Sequence, residues 1–290
     1  MSILINNSTR VIVQGITGRD GQFHALRMKE YGTQIVGGTS PGKGGSNISG
    51  IPVFNTMKEA VAATDADTSI IFIPARAAAD AIMEAADAGI RLIVCISEGI
   101  PTQDVIRAYR FAQERGAQLI GPNCPGLIVP GESLIGILPG HIFKPGHTAV
   151  ISRSGTLTYE VVSLLTNNGI GQSVAIGMGG DPVVGLYFLE LLKMLEADPQ
   201  TDSIVLIGEI GGNAEELAAD YIQKHVTKPV VAFIAGHSAP PGKQMGHAGA
   251  IISGSSGAAE DKIKALEAAG VHVARKPSEI PMLLRKEKKE

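Results

Sequence analysis

RVIVQGITGRDG, residues 10–21, runs from a β-branched apolar segment straight into a turn with glycines at positions 15, 18 and 21. Val11, Ile12 and Val13 leave no polar face, so residues 10–14 are expected as a strand buried on both sides, as in a parallel sheet. The G-x-x-G-x-x-G turn then opens a helix, 21–31, whose first backbone N–H groups lack intrahelical acceptors and suit a phosphate. The same glycines also permit tight helix–strand packing, and on sequence alone both readings stand.

Outward from this unit, Val/Ile-rich runs at 34–38, 69–74, 91–96 and 118–121 alternate with helical stretches at 57–63, 77–88 and 102–115. Alternation of this kind builds an α/β domain, here a Rossmann-like one over residues 1–122. Residues 123–146 read NCPGLIVPGESLIGILPGHIFKPG; no helical stripe exceeds a turn, so a Pro/Gly-rich linker is expected there. A second series follows, with strands at 148–152, 172–176, 203–208, 229–235 and 271–274 and helices at 156–168, 183–196, 213–225 and 257–269. Five strands suggest a flavodoxin-like parallel-sheet domain over 147–290. The charged tail 285–290 is expected to fray.

With 290 residues, two domains or one large one are expected at about 150 residues each. Hydrophobic residues make up 44% and charged residues 18%, which favours a packed core over disorder. Aromatics are 4%, Trp is absent and the net charge is −3 with no dense basic run, so neither nucleic acid nor an anionic membrane is expected as a partner. Apolar runs fall short of the roughly 18 residues a membrane span needs. The start, MSILINNSTR, carries no leader pattern, which points to the cytoplasm. Cys95 and Cys124 lack disulfide or metal spacing, and the seven histidines show no H-x-H or H-E-x-x-H, so no metal site is expected.

Several strand ends carry chemistry. The second strand ends in Gly37-Gly38-Thr39, without the acidic ribose partner of nicotinamide enzymes. Lys43 follows in SPGKGG; Gly44 replaces the Ser/Thr of a Walker motif, and Lys43 is either a phosphate contact or a solvated loop lysine. Ile96-Ser97-Glu98 and the GPNCPG segment reach the same edge, as ligand groups or as turn chemistry. In the second half, Ser154, Gly155 and Thr156 open a helix, suited to an N-cap or an anion site, while Tyr159 lies off its apolar stripe. His247, flanked by Gly246 and Ala248, is an uncrowded imidazole able to accept a phosphoryl group or a proton. Glu209, at a strand end, is a carboxylate able to orient it, though a lone loop histidine is often inert.

VIVQGITGRDGQFH, TSPGKGG, ISEGIP, GPNCPG, SRSGTLTYE, IGEIGG and GHAGAII, in this order over nearly the whole chain, resemble the α subunits of succinyl-CoA synthetases, the NDP-forming succinate–CoA ligases. The resemblance implies a first domain binding coenzyme A, with Thr17, Gly18, Arg19 and Asp20 at the nucleotide end, Lys43 on phosphate, and Ile96, Ser97 and Glu98 flanking the cofactor. Arg19 and Asp20 stand where several relatives carry small or amide residues, so that turn is expected to act through its backbone. It also implies a phosphohistidine at His247, oriented by Glu209, a substrate contact from Tyr159, and a phosphate cradle of Ser154, Gly155 and Thr156.

The implied reaction is a step of the tricarboxylic acid cycle. A nucleoside triphosphate phosphorylates the histidine, succinate takes the phosphoryl group, and the coenzyme A thiol displaces it to give succinyl-CoA. No ATP-grasp or Walker segment is present, so Mg-ATP or Mg-GTP is expected on a β subunit, in an αβ or α2β2 assembly. The alternatives are a ligase for another dicarboxylate such as malate, a non-catalytic coenzyme A-binding module, and a nicotinamide oxidoreductase.

Overall fold

Runs of Val, Ile and Leu with no polar face are stable as strands only inside a sheet covered on both sides. The computed structural model describes residues 3–237, 239–240, 244–252 and 257–287; within them the strands form two seven-stranded sheets. The first comprises β1 (Arg10–Gln14), β2 (Gln34–Thr39), β3 (Asn47–Ile48), β4 (Ile51–Phe54), β5 (Thr68–Ile71), β6 (Leu92–Cys95) and β7 (Gln118–Ile120). Between them run α1 (Arg19–Tyr31), α2 (Met57–Thr64), α3 (Ala75–Asp87) and α4 (Thr102–Glu114).

The order β3-β4-β2-β1-β5-β6-β7 is parallel except at β3, and without that edge strand it is the 3-2-1-4-5-6 order of a Rossmann fold. Its reversal point lies between β1 and β5, so the crevice opens beyond Gln14 and Ile71. At the turn after β1, a Cβ on Gly21 would stand 2.3 Å from the Gly15 carbonyl oxygen, so the packing demand on these glycines is met directly. Strands β3 and β4 were not legible in the sequence, because two and four residues are too few to set a period.

The second sheet holds β8 (Gly126–Val129), β9 (Ser133–Gly136), β10 (Pro145–Ser152), β11 (Gln172–Gly177), β12 (Ser203–Glu209), β13 (Val230–Ala235) and β14 (His272–Ala274). Its helices are α5 (Gly155–Asn167), α6 (Phe188–Ala197), α7 (Ala214–His225), α8 (Ala259–Ala268) and α9 (Ile280–Glu287). The five parallel strands lie in the order β11-β10-β12-β13-β14, the 2-1-3-4-5 order of flavodoxin-like sheets. The reversal point falls between β10 and β12, beyond Ser152 and Glu209. No described helix is long and apolar enough to cross a membrane.

Residues 123–146 are not a linker. They carry the hairpin β8–β9, which pairs antiparallel with β11 and extends the second sheet, every strand residue buried. The glycines that suggested a loop instead let two backbones close: a Cβ on Gly126 would meet the Ile135 oxygen at 2.1 Å, and one on Gly136 the Pro125 oxygen at 2.1 Å. Thr33, just past α1, donates its hydroxyl to the Leu134 carbonyl at 2.7 Å and accepts the Leu134 N–H at 2.9 Å. One apolar cluster therefore runs from Val11 and Met28 through Leu127 and Ile135 to Val150 and Leu206. Each such side chain contributes about 1.5–3 kcal/mol relative to exposure.

Two further expectations need correction. The helix expected over 183–196 begins at Phe188, because residues before it dock on the first sheet: the Gly185 N–H bonds the Gly121 oxygen at 2.9 Å and Leu186 bonds Leu119 at 2.7 Å. Arg285 to Glu287 do not fray; they close α9, whose Ile280 and Leu284 are buried and whose Arg285 donates to the Asn168 carbonyl at 2.6 Å. Lys288, Lys289 and Glu290 lie outside the described residues.

Candidate active site

All seven residues of β12 are buried, and its last, Glu209, delivers a carboxylate to the reversal point of the second sheet. His247 arrives on the loop after β13, whose Gly242 and Lys243 lie outside the described residues. Its Nδ1 lies 2.8 Å from Glu209 Oε2 and 3.0 Å from Oε1. That contact fixes the tautomer and leaves Nε2 as the ring nitrogen available for chemistry. The hydrogen bond that His247 donates to Glu209 raises the imidazole's pKa above its ordinary value, overcoming burial, which lowers it. Small neighbours make room: a Cβ on Gly180 would stand 2.1 Å from His247 Cγ, so the ring rests on the Gly180 backbone, and the Gly249 N–H binds the Gly180 oxygen at 2.9 Å.

Behind Glu209 sits Arg153, 3% exposed, with Nη2 3.4 Å from Glu209 Oε1 and Nη1 3.1 Å from Glu215 Oε1. Burial opposes its charge, and the carboxylates of Glu215 and Glu209 outweigh that opposition and raise its pKa. Glu215 also meets Lys262 Nζ at 2.6 Å, and Lys262 reaches Glu216 at 3.0 Å. Charges this deep persist only when paired, and here cation and anion alternate from Glu209 to Glu216.

Helix α5 starts beside this network. Ser154 caps it, its hydroxyl accepting the Leu157 N–H at 3.3 Å, so its side chain is engaged locally. The first-turn amides of Gly155 and Thr156 have no intrahelical acceptors and can receive an anion. Tyr159 is half-buried and packs on the core, where burial, and then nearby Cys124, raise its phenol pKa. Burial pushes the Cys95 thiol up to about 12 and Cys124 higher, so both are neutral packing groups.

At the first sheet's reversal point, a cavity of about 260 Å³ is lined by Asp20, Phe72, Pro74, Ile96, Ser97 and Glu98. Four of the sequence-derived cofactor residues therefore share one cavity. Thr17, Gly18, Arg19 and Lys43 lie exposed outside that lining. The Thr17 hydroxyl pairs with that of Ser40 at 2.8 Å, Arg19 and Asp20 form an exposed ion pair, and the Lys43 loop is pinned by Asn55 Oδ1, which accepts the N–H groups of Gly42 and Gly44 at 3.0 Å each.

Asn123 joins the two edges. Its N–H donates to the Ser97 oxygen at 3.0 Å, its oxygen accepts the Gly180 N–H at 3.3 Å, and its Nδ2 donates to Asp181 Oδ1 at 2.9 Å. It does so with φ +52°, a left-handed conformation that Asn tolerates better than most residues. A second cavity, about 120 Å³, is lined by Glu98 and Ile100 from the first half, Asp181 and Pro182, and Gln244 and Gly246 of the His247 loop. Sequence reasoning missed Asp181, Glu215 and Lys262, whose side-chain partners are 46 to 62 residues away. Among the described residues no group of three or more His, Cys, Asp or Glu side chains is placed to hold a metal ion.

The CoA binding domain family matches residues 6–99 and the CoA-ligase family residues 151–272. The succinate–CoA ligase (ADP-forming) subunit alpha of Aquifex aeolicus is 58% identical over 282 residues, 97% of this chain and 92% of that protein. Subunit alpha 2 of Archaeoglobus fulgidus is 55% identical over 98% of this chain and 99% of its own length. Among solved structures, ATP citrate lyase from Methanothrix soehngenii, in complex with citrate and coenzyme A, superposes with TM-score 0.90 at 26% identity. That match covers 99% of this chain, which spans 50% of the lyase chain.

Proposed function

The chain belongs to the family of succinate–CoA ligase α subunits, and from that premise we propose that it makes succinyl-CoA with a β subunit, passing a phosphoryl group through His247. The observation that carries this reading is the contact of His247 Nδ1 with Glu209, which leaves Nε2 as the nucleophile. The ligase is ADP-forming, as its relatives are, and the Mg-nucleotide site belongs to the β subunit. Residues 1–122 hold coenzyme A and residues 147–290 carry the phosphoryl group. The setting is the cytoplasmic tricarboxylic acid cycle, where Cys95 and Cys124, both free, stay reduced.

The chemistry follows from this chain's own groups. With Nδ1–H donated to Glu209, the Nε2 lone pair attacks the terminal phosphorus of ATP; an N–P bond forms as the P–O bond to ADP breaks. The cation developing on the ring is stabilised by the Glu209 carboxylate. A succinate oxygen then takes the phosphoryl group, restoring the imidazole and giving succinyl phosphate. The α5 amides of Gly155 and Thr156 receive anionic oxygens during these transfers, and Tyr159 contacts succinate at the same helix. Coenzyme A docks at the first sheet's reversal point, with Thr17, Gly18, Arg19, Asp20 and Lys43 at its phosphate-bearing end and Ile96, Ser97 and Glu98 toward the thiol. Two easy transfers replace one hard condensation.

The test is direct. The complex with its β subunit is given Mg²⁺ with ATP or GTP, and acid-labile phosphate is mapped by peptide mass spectrometry. Phosphate on His247 that disappears on adding succinate and coenzyme A is the expected result. An unmodified His247 in a nucleotide-bound complex rules the proposal out, and persistence of the phosphate with succinate but not with malate redirects the substrate.

A further inference from the structure

Asp181 is a buried carboxylate with no ion-pair partner among the described residues, in contrast to Glu209 and Glu215, each of which meets a cation. Taking a carboxylate out of water without a counter-charge is costly, and such groups are retained mainly where they do chemistry. Its surroundings indicate which chemistry. Asn123 holds Oδ1 at 2.9 Å, and the residue lines the 120 Å³ cavity between Glu98 and the His247 loop. The preceding residue, Gly180, carries the imidazole ring on its backbone. Asp181 thus stands where the cofactor edge of the first sheet meets the phosphoryl carrier of the second.

We propose that Asp181 is the general base of the last step, taking the proton from the coenzyme A thiol as its sulfur attacks succinyl phosphate. This assignment rests on the reading of the site as a coenzyme A ligase. In the step, a C–S bond forms and the C–O bond to phosphate breaks. The thiol proton passes to the Asp181 carboxylate, and inorganic phosphate leaves with the bonding pair. Oδ2, which Asn123 does not engage, is the accepting atom.

Two features suit Asp181 to this over its cavity neighbour Glu98. Glu98 is exposed to water and has no side-chain hydrogen bond among the described residues to hold it, whereas Asp181 is only 6% exposed and is fixed by Asn123. Burial raises the Asp181 pKa, opposed by the hydrogen bond from Asn123, raised further by Glu98 and lowered by His247; the net rise narrows the gap to a thiol. Of the described groups near Asp181, the buried thiols Cys95 and Cys124 are held neutral by burial, and the Arg153 guanidinium approaches the Asp181 backbone beside Gly249.

The experiment uses the αβ complex carrying Asp181→Asn, which keeps the shape and the bond to Asn123 after an amide flip. Three rates are compared with wild type: phosphorylation of His247 by Mg-ATP, succinyl hydroxamate formation from succinate and hydroxylamine without coenzyme A, and succinyl-CoA formation. The first two are expected within about two-fold of wild type, and the third is expected to fall about 10²- to 10³-fold, recovering in part as pH rises and thiolate accumulates. Equal loss in all three, or no loss in the third, overturns the assignment. Absence of hydroxamate with the wild-type complex would count against the ligase reading instead. If D181N does not assemble, the wild-type pH profiles decide. Succinyl-CoA formation must then show a further acid limb beyond the one that His247 protonation gives ATP–ADP exchange, and coincident profiles overturn the proposal.

Discussion

Glu215 accepts the backbone N–H of Glu209 through Oε1 at 3.1 Å. The residue that orients the imidazole is therefore itself anchored, at its amide, by a carboxylate with no exposed surface. The same oxygen accepts Arg153 Nη1, and the other accepts Lys262 Nζ.

Removing that junction leaves two buried cations each short of a partner, Arg153 with Glu209 alone and Lys262 with Glu216 alone among the described residues, so Glu215→Ala is expected to cost about 3 kcal/mol of stability in urea unfolding. Lys262→Met fills similar volume and leaves Glu215 paired with Arg153, so its loss is expected to be smaller. The reverse ranking would show that Glu215 is not the junction.

The imidazole offers a pH test. Glu209 raises the pKa of His247 above 6.5, against the opposing effect of burial, and in the proposed reaction the phosphoryl acceptor is the neutral ring. Phosphorylation should slow as pH falls through that raised value, and Glu209→Gln should move the midpoint down. The linked stability has a defined sign: for a pKa raised on folding, it is complete below the unfolded value of 6.5 and is lost as pH rises through the folded one. An NMR titration of His247 in both proteins checks the shift; a midpoint unchanged in E209Q contradicts the role of the carboxylate.

Gly180→Ala tests how the ring is seated. The new methyl would stand 2.1 Å from His247 Cγ, so the ring must leave Glu209. Displacement of a reacting atom by about 1 Å costs on the order of 10²-fold in rate. His247 phosphorylation should fall by that factor while coenzyme A affinity, measured by calorimetry, stays at the wild-type value. Equal loss of coenzyme A binding would mean that the methyl disturbs the fold rather than the ring.

Most of the strand pattern was legible because doubly buried strands leave no polar face, and β1, β6 and β12 show that in one-letter code. The hairpin β8–β9 was not, since Gly126 and Gly136 read as breakers although their role is close approach of backbones. The residues now facing one another at the second sheet's edge, His247 and Glu209, were legible through their small neighbours and strand-end position. Arg153 was visible only as part of a helix entry, and Glu215 and Lys262 looked like ordinary helix-surface charges. Their burial depends on pairing across 47 residues, which no local pattern encodes.

The hydrogen bonds between Thr33 and Leu134, with the Gly136 N–H on Met28 Sδ at 3.3 Å, bear on how such chains recombine. A chimera cut at residue 122 would take its hairpin from one parent and the helix supporting it from the other. The seam that preserves both lies beyond the hairpin, so the unit of exchange is the first sheet together with β8 and β9, and the two halves of the enzyme are not interchangeable parts at the place where their sequence styles change.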